Sequence, residues 1–217
     1  MSKILISGYY GFANAGDEAM LTAIIESLRQ VEKNVELTVL SGNPEDTAAK
    51  HQVCSVYRFN PLGIIRAMKD SELIISGGGS LLQDVTSKRS LLYYLSIIGL
   101  GKFFGKKVML FAQGIGPIRA KWARKLTSLV CNEADLITVR DSESAAELIE
   151  MGVKHEKITV TADSVLSLNP VTKECGQYLL QEAGVDLTKP VIGISVRPWS
   201  GDSQCFQVLA EAASKLQ

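Results

Sequence analysis

The chain has 217 residues, 46% hydrophobic and 21% charged, a globular composition that excludes a disordered, collagen-like or coiled-coil protein. Lys and Arg total 23 and so do Asp and Glu, so the formal net charge is zero. No long-range field gathers nucleic acid, which is not expected as a partner.

Residues 3–7 predict a buried strand, because Ile4, Leu5 and Ile6 run together before a Gly-rich turn. Residues 17–31 predict a helix. Met20, Leu21, Ile24, Ile25 and Leu28 recur at helical spacing behind the good starters Asn14, Gly16 and Asp17. A strand follows at 35–40, and another at 73–76 stops at Gly77-Gly78-Gly79. Then come a helix at 90–104, a strand at 107–111 running into Gln113-Gly114-Ile115-Gly116-Pro117, and a helix at 120–132. A strand at 136–139, a helix at 142–151 and a short strand at 158–160 complete the set. This alternation predicts the α/β class: βαβ units forming a Rossmann-like parallel sheet with helices on both faces. The run Leu73-Ile74-Ile75 suits burial from both sides.

After residue 165 the pattern changes. Pro170 and Pro190 bracket a linker with one helix near 177–183, then a strand is expected at 191–196 and a helix at 206–215. The expected division is a first domain at 1–165, a linker at 166–190, and the start of a second Rossmann-like domain at 191–217. One βα unit cannot bury a sheet of its own. The chain is therefore expected to be a fragment of a longer two-domain protein, or its last segment packs elsewhere.

Cys54, Cys131, Cys175 and Cys205 form no C-x-x-C pair, so no zinc knuckle or redox motif is readable and a reducing compartment is expected. The start lacks the apolar core of a signal peptide, which makes the cytoplasm the expected location. The most apolar window, 91–104, is interrupted by Gly99, Gly101 and Lys102 and falls short of the roughly 18–20 residues that span a bilayer. Lys88, Arg89, Lys102, Lys106 and Lys107 flank it. Such a collar lets a helix touch an anionic membrane surface; a buried helix with solvated ends is the favoured reading. His51 and His155 lie in polar stretches expected to be exposed, with no metal role.

In an open parallel sheet, ligands bind at the carboxyl ends of the strands. The loop from Gly8 to Glu18 does not match G-x-G-x-x-G, so no dinucleotide fingerprint is present. Gly11 and Gly16 have P-loop spacing, but Asp17-Glu18 stands where Lys-Ser/Thr is needed and would repel a triphosphate. A carboxylate there can instead take a proton from a sugar hydroxyl; the alternative is that Asn14 and Asp17 cap the helix. Gly77-Gly78-Gly79-Ser80 lets backbone amides approach an anion, with Asp84 within reach, or is only a tight turn. Arg140 would point to the same rim and suit a carboxylate or phosphate, or form an ion pair with Asp141 or a neighbour. Asp163 ends another strand, and Arg197 would face the first domain across a cleft.

Taken in order, these loops resemble the polysaccharide pyruvyl transferase family. The resemblance rests on Gly8…Gly11-x-x-Asn14-x-Gly16-Asp17-Glu18, Gly77-Gly78-Gly79-Ser80 with Asp84, and Gln113-Gly114-Ile115-Gly116-Pro117. It continues through Val139-Arg140-Asp141-Ser142-x-Ser144, Ala162-Asp163 and Ile194-Ser195-Val196-Arg197-Pro198. The likeness is strongest to the branch that pyruvylates a secondary cell-wall polymer in bacteria with surface layers. It implies a two-domain architecture like that of GT-B glycosyltransferases, with the active site between domains. Family members are longer than this chain, and their second domain carries a further Arg and His motif for the donor.

The resemblance also implies a chemistry: the enolpyruvyl group of phosphoenolpyruvate moves onto a sugar as a cyclic ketal. Arg140 and Arg197 are then the anion clamp, helped by the amides of Gly77, Gly78 and Gly79. Asp17 is the sugar-hydroxyl base, with Asn14, Gly16, Glu18 and Asp84 beside it and Gln113, Gly114 and Asp163 lining the site. The acid for the methylene carbon is expected beyond the chain. No metal or organic cofactor is required. The implied acceptor is N-acetylmannosamine on a lipid-linked precursor, which would bring the protein to the inner face of the cell membrane. Two alternatives remain: a GT-B glycosyltransferase using a nucleotide sugar, and an inactive sugar-binding domain.

Overall fold

The computed structural model describes residues 2–196 and 203–215. They fall into two compact units, Met1–Asn169 and Pro170–Gln217.

The first unit is built on a parallel sheet. Its strands are β1 (Lys3–Tyr10), β2 (Glu36–Ser41), β3 (Cys54–Tyr57), β4 (Leu73–Ser76), β5 (Gly79–Leu82), β6 (Lys107–Ile115), β7 (Leu136–Val139) and β8 (Ile158–Val160). The order across the sheet is β3-β2-β1-β4-β6-β7-β8, with β5 also pairing with β6. Connecting helices are α1 (Ala15–Val31), α2 (Pro44–His51), α3 (Pro61–Asp70), α4 (Lys88–Phe103), α5 (Lys121–Glu133) and α6 (Ser142–Glu150). Every strand pairing is parallel. β1 therefore lies between β2 and β4, so the chain winds outward in opposite directions from it. The loops after β1 and β4 part there, leaving a crevice at the carboxyl edge.

Side-chain alternation along β1 sorts the core into two layers. Ile4 and Ile6 pack with Leu21, Ile24 and Ile25 of α1. Leu5 packs with Ile64 and Met68 of α3 and with Leu91, Leu95 and Ile98 of α4. Both sheet faces are thus covered, which is why β4 can be apolar without alternation. The apolar helix α4 belongs to this core: Leu91, Tyr94, Leu95, Ile97, Ile98 and Gly101 are buried. Among the described residues no helix is long and apolar enough to cross a membrane. Its basic collar is partly neutralised, since Lys102 and Lys107 both pair with Asp135, and Lys106 donates to the Lys69 carbonyl.

Four of these strands and helices were not anticipated: α2, β3, α3 and β5. The strand β3 is only partly buried and carries Cys54 and Ser55, so it lacks an apolar run. Both helices open on a proline that follows an asparagine cap, Asn43-Pro44 and Asn60-Pro61, a start signal that stands in the sequence. The glycine run after β4 leads into a strand: Gly79 begins β5, and α4 starts at Lys88. Ser76 pairs with Leu110 and Gly79 with Gln113, so β4 and β5 lie along β6 in one register, broken by Gly77 and Gly78.

In the second unit, α7 (Lys173–Glu182) and α8 (Ser203–Ser214) are helical, but residues 191–196 form no regular structure. This corrects the expected strand. A strand exists by pairing, and no other strand occurs among the described residues of that unit, so Val191, Ile192, Ile194 and Val196 are exposed.

Two measurements check this packing. Ile98→Ala removes a fully buried side chain and is expected to lower the urea-unfolding free energy by about 2–5 kcal/mol. Asp135 joins α4, β6 and the start of β7. Burial acts to raise its carboxyl, but hydrogen bonds from Lys102, the Val108 amide and Lys107 outweigh this and hold its pKa at about 2. A depressed carboxyl stabilises the fold above its unfolded pKa and loses that contribution as pH falls through the folded one. Stability is expected to decline from about pH 4 toward pH 2, and Asp135→Asn should flatten that limb of a pH series of thermal unfolding.

Candidate functional site

The crevice beside β1 and β4 is shaped by glycine. In the first loop, Gly11 has φ +77° and sits against Ser41, Gly42 and Asn43. A side chain there would meet the Ser41 hydroxyl and the amides of Gly42 and Asn43, so the loop is clamped onto the turn after β2. Glu18 of α1 fixes it from the other side. One carboxylate oxygen accepts from the Gly11 amide at 2.8 Å, and the other lies 3.8 Å from His51 Nε2. Glu18 is thereby held by its own loop. His51, expected to be exposed, is a correction: its side chain is only 10% exposed and faces Glu18.

Asn14 caps α1, accepting from the amides of Gly16 and Asp17, so the capping alternative holds for Asn14. Asp17, the next residue but two, takes a different position. Its carboxylate lies against the second glycine turn, where a Cβ on Gly79 would stand 3.3 Å from Oδ1. Its negative charge also acts on the buried hydroxyls of Tyr10 and Tyr94, adding to the upward push that burial gives both.

The second turn is the tightest part of the site. Gly77 donates its amide to the Ser7 carbonyl at 2.7 Å, so that N–H is not free for an anion, which corrects the expectation. The Gly77 carbonyl accepts from Gln113 Nε2 at 2.7 Å, and the same nitrogen reaches Ser76. Gln113 is fully buried and serves as a pin across the break. Above Gly77 lies the fully buried ring of Tyr10, whose hydroxyl would collide with any Cβ added there. Gly78 is covered by Met20, Ser164 and the Ala112 carbonyl.

Arg140 completes the rim. Its side chain lies across Gly114, where a Cβ would come within 2.8 Å of the guanidinium. It pairs with Asp141 at 3.3 Å and Asp163 at 3.2 Å and donates to Ser80 Oγ at 3.2 Å. The ion-pair alternative is therefore what the structure shows, with one third of the side chain still exposed. Asp141 also caps α6, and the hydroxyl and amide of Ser144 hold its carboxyl below the usual range. Asp17 thus lies beside Gly79 and Arg140 reaches the next residue, Ser80.

Asp84 stands apart from this pair. It accepts from the amides of Arg119 and Ala120 ahead of α5, and those bonds, Ala120 first, hold its carboxyl below the usual carboxylate range. A carboxylate so held is a poor base. Arg197 lies outside the described residues. No group of three His, Cys, Asp or Glu able to hold a metal occurs among the described residues.

Sequence reasoning missed Arg58. It follows β3 and is 4% exposed, yet it forms no ion pair among those described. Its guanidinium donates to the Gly8 carbonyl and Tyr94 hydroxyl, while Nε is buried without a partner. Five rings surround it, those of Tyr9, Phe12, Phe59, Tyr93 and Tyr94, at 4.4–5.8 Å from their centroids. Each such contact is worth about 0.5–2 kcal/mol. The aromatic residues were visible in the sequence, but nothing local links residue 58 to residues 9, 12 and 93.

A family model described as polysaccharide pyruvyl transferase matches residues 14–199. The chain belongs to the polysaccharide pyruvyl transferase family. The matched span of this pyruvyl transferase family member takes in the Asp17 and Arg140 sides of the rim. No curated protein matches the chain. Among solved structures, Anabaena HepE in complex with UDP and glucose is similar at 14% identity and TM-score 0.60, over 97% of this chain and 58% of that one. A glycosyltransferase from Rickettsia africae gives 14% and 0.57, over 100% and 57%. A UDP-GlcNAc 2-epimerase from Neisseria meningitidis bound to UDP-GlcNAc gives 12% and 0.51, over 85% and 51%. The chain spans under two thirds of the length of each, and at these identities the likeness establishes the Rossmann-like fold.

The glycine break yields a direct test. Tyr10→Phe removes a buried hydroxyl with no hydrogen-bond partner and is expected to change stability little or raise it. Gly77→Ala should cost about 1–3 kcal/mol by overpacking. The double variant should recover part of that loss in thermal unfolding, because the colliding atom is gone.

Proposed function

We propose that this protein is a pyruvyl transferase that moves the enolpyruvyl group of phosphoenolpyruvate onto a sugar of a cell-wall polysaccharide precursor as a cyclic ketal. The observation that carries this reading is the pair at the crevice, Asp17 beside Gly79 and Arg140 on Ser80, inside a family match that runs from 14 to 199.

The chemistry needs a cation for the donor's phosphate and carboxylate, and a base for the attacking hydroxyl. Protonation of the donor's methylene carbon makes C2 electrophilic. One sugar hydroxyl attacks there, inorganic phosphate leaves, and a second hydroxyl closes the ketal. Arg140 supplies a planar guanidinium that suits the donor's oxygens. Asp141 and Asp163 orient it in the absence of donor, and the incoming anion takes over part of that pairing. Asp17 supplies the carboxylate that accepts the hydroxyl proton. The methylene acid and the role of Arg197 lie outside the described residues. The donor already holds the energy for transfer, so the proposal needs no cofactor. Within the family the reading is that of the CsaB branch, acting on lipid-linked N-acetylmannosamine at the cytoplasmic face of the membrane and serving surface-layer anchoring.

The test is incubation of the complete protein with phosphoenolpyruvate and a panel of N-acetylhexosamine acceptors, following phosphate release. Transfer is expected without any thermal shift from UDP; a UDP shift with no phosphate release would favour a nucleotide-sugar glycosyltransferase instead. Arg140→Ala is expected to slow turnover by about 10²–10³-fold and Asp17→Asn by about 10²–10⁴-fold, each with an unchanged melting curve. Undiminished turnover in either variant removes that residue from the chemistry.

A further inference from the structure

Tyr9 lies at the end of β1 and Phe12 on the loop that follows it, at the carboxyl edge of the sheet. Their rings are stacked in near-parallel planes, centroids 4.4 Å apart and 13° between planes. Both remain about two fifths exposed, at 40% and 41%. Large rings ordinarily gain by turning inward. They are instead held outward by three contacts. The Phe12 ring rests on Gly42, where a Cβ would stand 2.6 Å from it. Gly11 between them is pinned by Glu18. The buried Arg58 lies 5.8 Å from the Tyr9 centroid and 5.3 Å from that of Phe12.

Arg58 is the unusual part. A buried guanidinium without a carboxylate partner is an expensive way to fill a core, and an apolar side chain of equal volume would serve stability as well or better. Its two hydrogen bonds, to the Gly8 carbonyl and the Tyr94 hydroxyl, leave Nε buried without a partner. Its geometry serves a different end, since it fixes the orientation of rings on several elements at once. Tyr93 and Tyr94 of α4 and Phe59 before α3 are held with the Tyr9–Phe12 pair around one cation.

We propose that the Tyr9–Phe12 pair is a stacking platform for the pyranose ring of an acceptor sugar, with Arg58 as the positioning residue that locks it. This rests on the reading of the site as one that modifies a sugar. A pyranose has one face rich in C–H groups, which suits an exposed aromatic surface, and a rim of hydroxyls that need polar partners. Tyr94 ties the two halves of this arrangement together. Its hydroxyl accepts from Arg58, the same cation that lies beside the rings of Tyr9 and Phe12. Asp17 stands in the first turn of α1, five residues beyond Phe12, so one segment carries both the platform and that carboxylate. The neutral face recognises a cyclic sugar, not a nucleotide phosphate, because the cation beneath is sealed off by aromatic rings.

The experiment uses the complete protein with N-acetylmannosamine and N-acetylglucosamine as probes and the open-chain polyol sorbitol as control. Saturation-transfer NMR without donor is expected to show contact with the pyranoses and none with sorbitol. Tyr9→Ala and Phe12→Ala should each abolish that contact, and Tyr9→Trp should keep it. In turnover, the alanine variants should raise the acceptor KM at least tenfold with the phosphoenolpyruvate KM unchanged. Arg58→Lys should shift the acceptor KM in the same direction and leave the donor KM alone, which a merely structural loss would not do. Alanine variants with unchanged acceptor KM and unchanged NMR contact overturn the platform, as does a wild-type protein that binds neither pyranose. Pyruvyl transfer continuing in those alanine variants would leave the proposed function standing while the platform fails. Tyr9-dependent sugar contact without any pyruvyl transfer would do the reverse.

Discussion

The site depends on one steric constraint, the break between β4 and β5 at Gly77 and Gly78. The two strands share a register along β6, so the interruption is a local opening in one line of strand and not a change of partner. The opening is filled from above by the ring of Tyr10 and from the side by Met20 and Ser164, and Gln113 holds its carbonyls from below. No side chain fits at Gly77. Because the backbone is so closely covered there, Asp17 can stand against Gly79 and Arg140 can reach Ser80. Closely packed interiors resist small volume changes, which makes this break a rigid reference point for both polar groups.

Charge at the rim follows from what each carboxylate is already doing. Glu18 holds Gly11, Asp84 holds the amides ahead of α5, and Asp141 caps α6. These acids are spent on orphan backbone donors, a use that fixes loops more firmly than it prepares a base. Asp163 shares Arg140 with Asp141, leaving that guanidinium oriented and partly solvated. Arg58 is handled in the opposite way: it is buried, without a carboxylate, and satisfied mainly by aromatic faces. The two arginines thus have opposite surroundings, one ion-paired and a third exposed, the other buried among rings.

The glycine motifs stood out in the sequence because glycine next to a strand end is informative by itself. Their consequences were less legible. Gly77-Gly78-Gly79 read as an anion-approaching loop or a tight turn, and only the pairing of Gly79 with Gln113 reveals a strand. Asn14 and Asp17 could each be a cap or a ligand; the cap went to Asn14, whose oxygen reaches two amides, while Asp17 was carried past it to Gly79. Arg140 carried both of its readings in the sequence, and its pairing needed the coordinates of Asp163, 23 residues away. Residues 191–196 show the converse limit, since an apolar run has strand propensity and still requires a neighbour to pair with.

The sequence by itself determined the period of each long element, the parallel class of the sheet and the loops that carry polar groups. Those properties are set by neighbours within a few positions, through helical spacing, buried apolar runs and glycine at strand ends. Tertiary structure alone decided that β5 continues the line of β4, that Glu18 faces His51, and that Arg58 gathers rings from residues 9, 12, 59, 93 and 94. Each of those is a contact between segments far apart in the chain, made when the sheet order brings their ends to one edge, and local residue preferences contain no term for it.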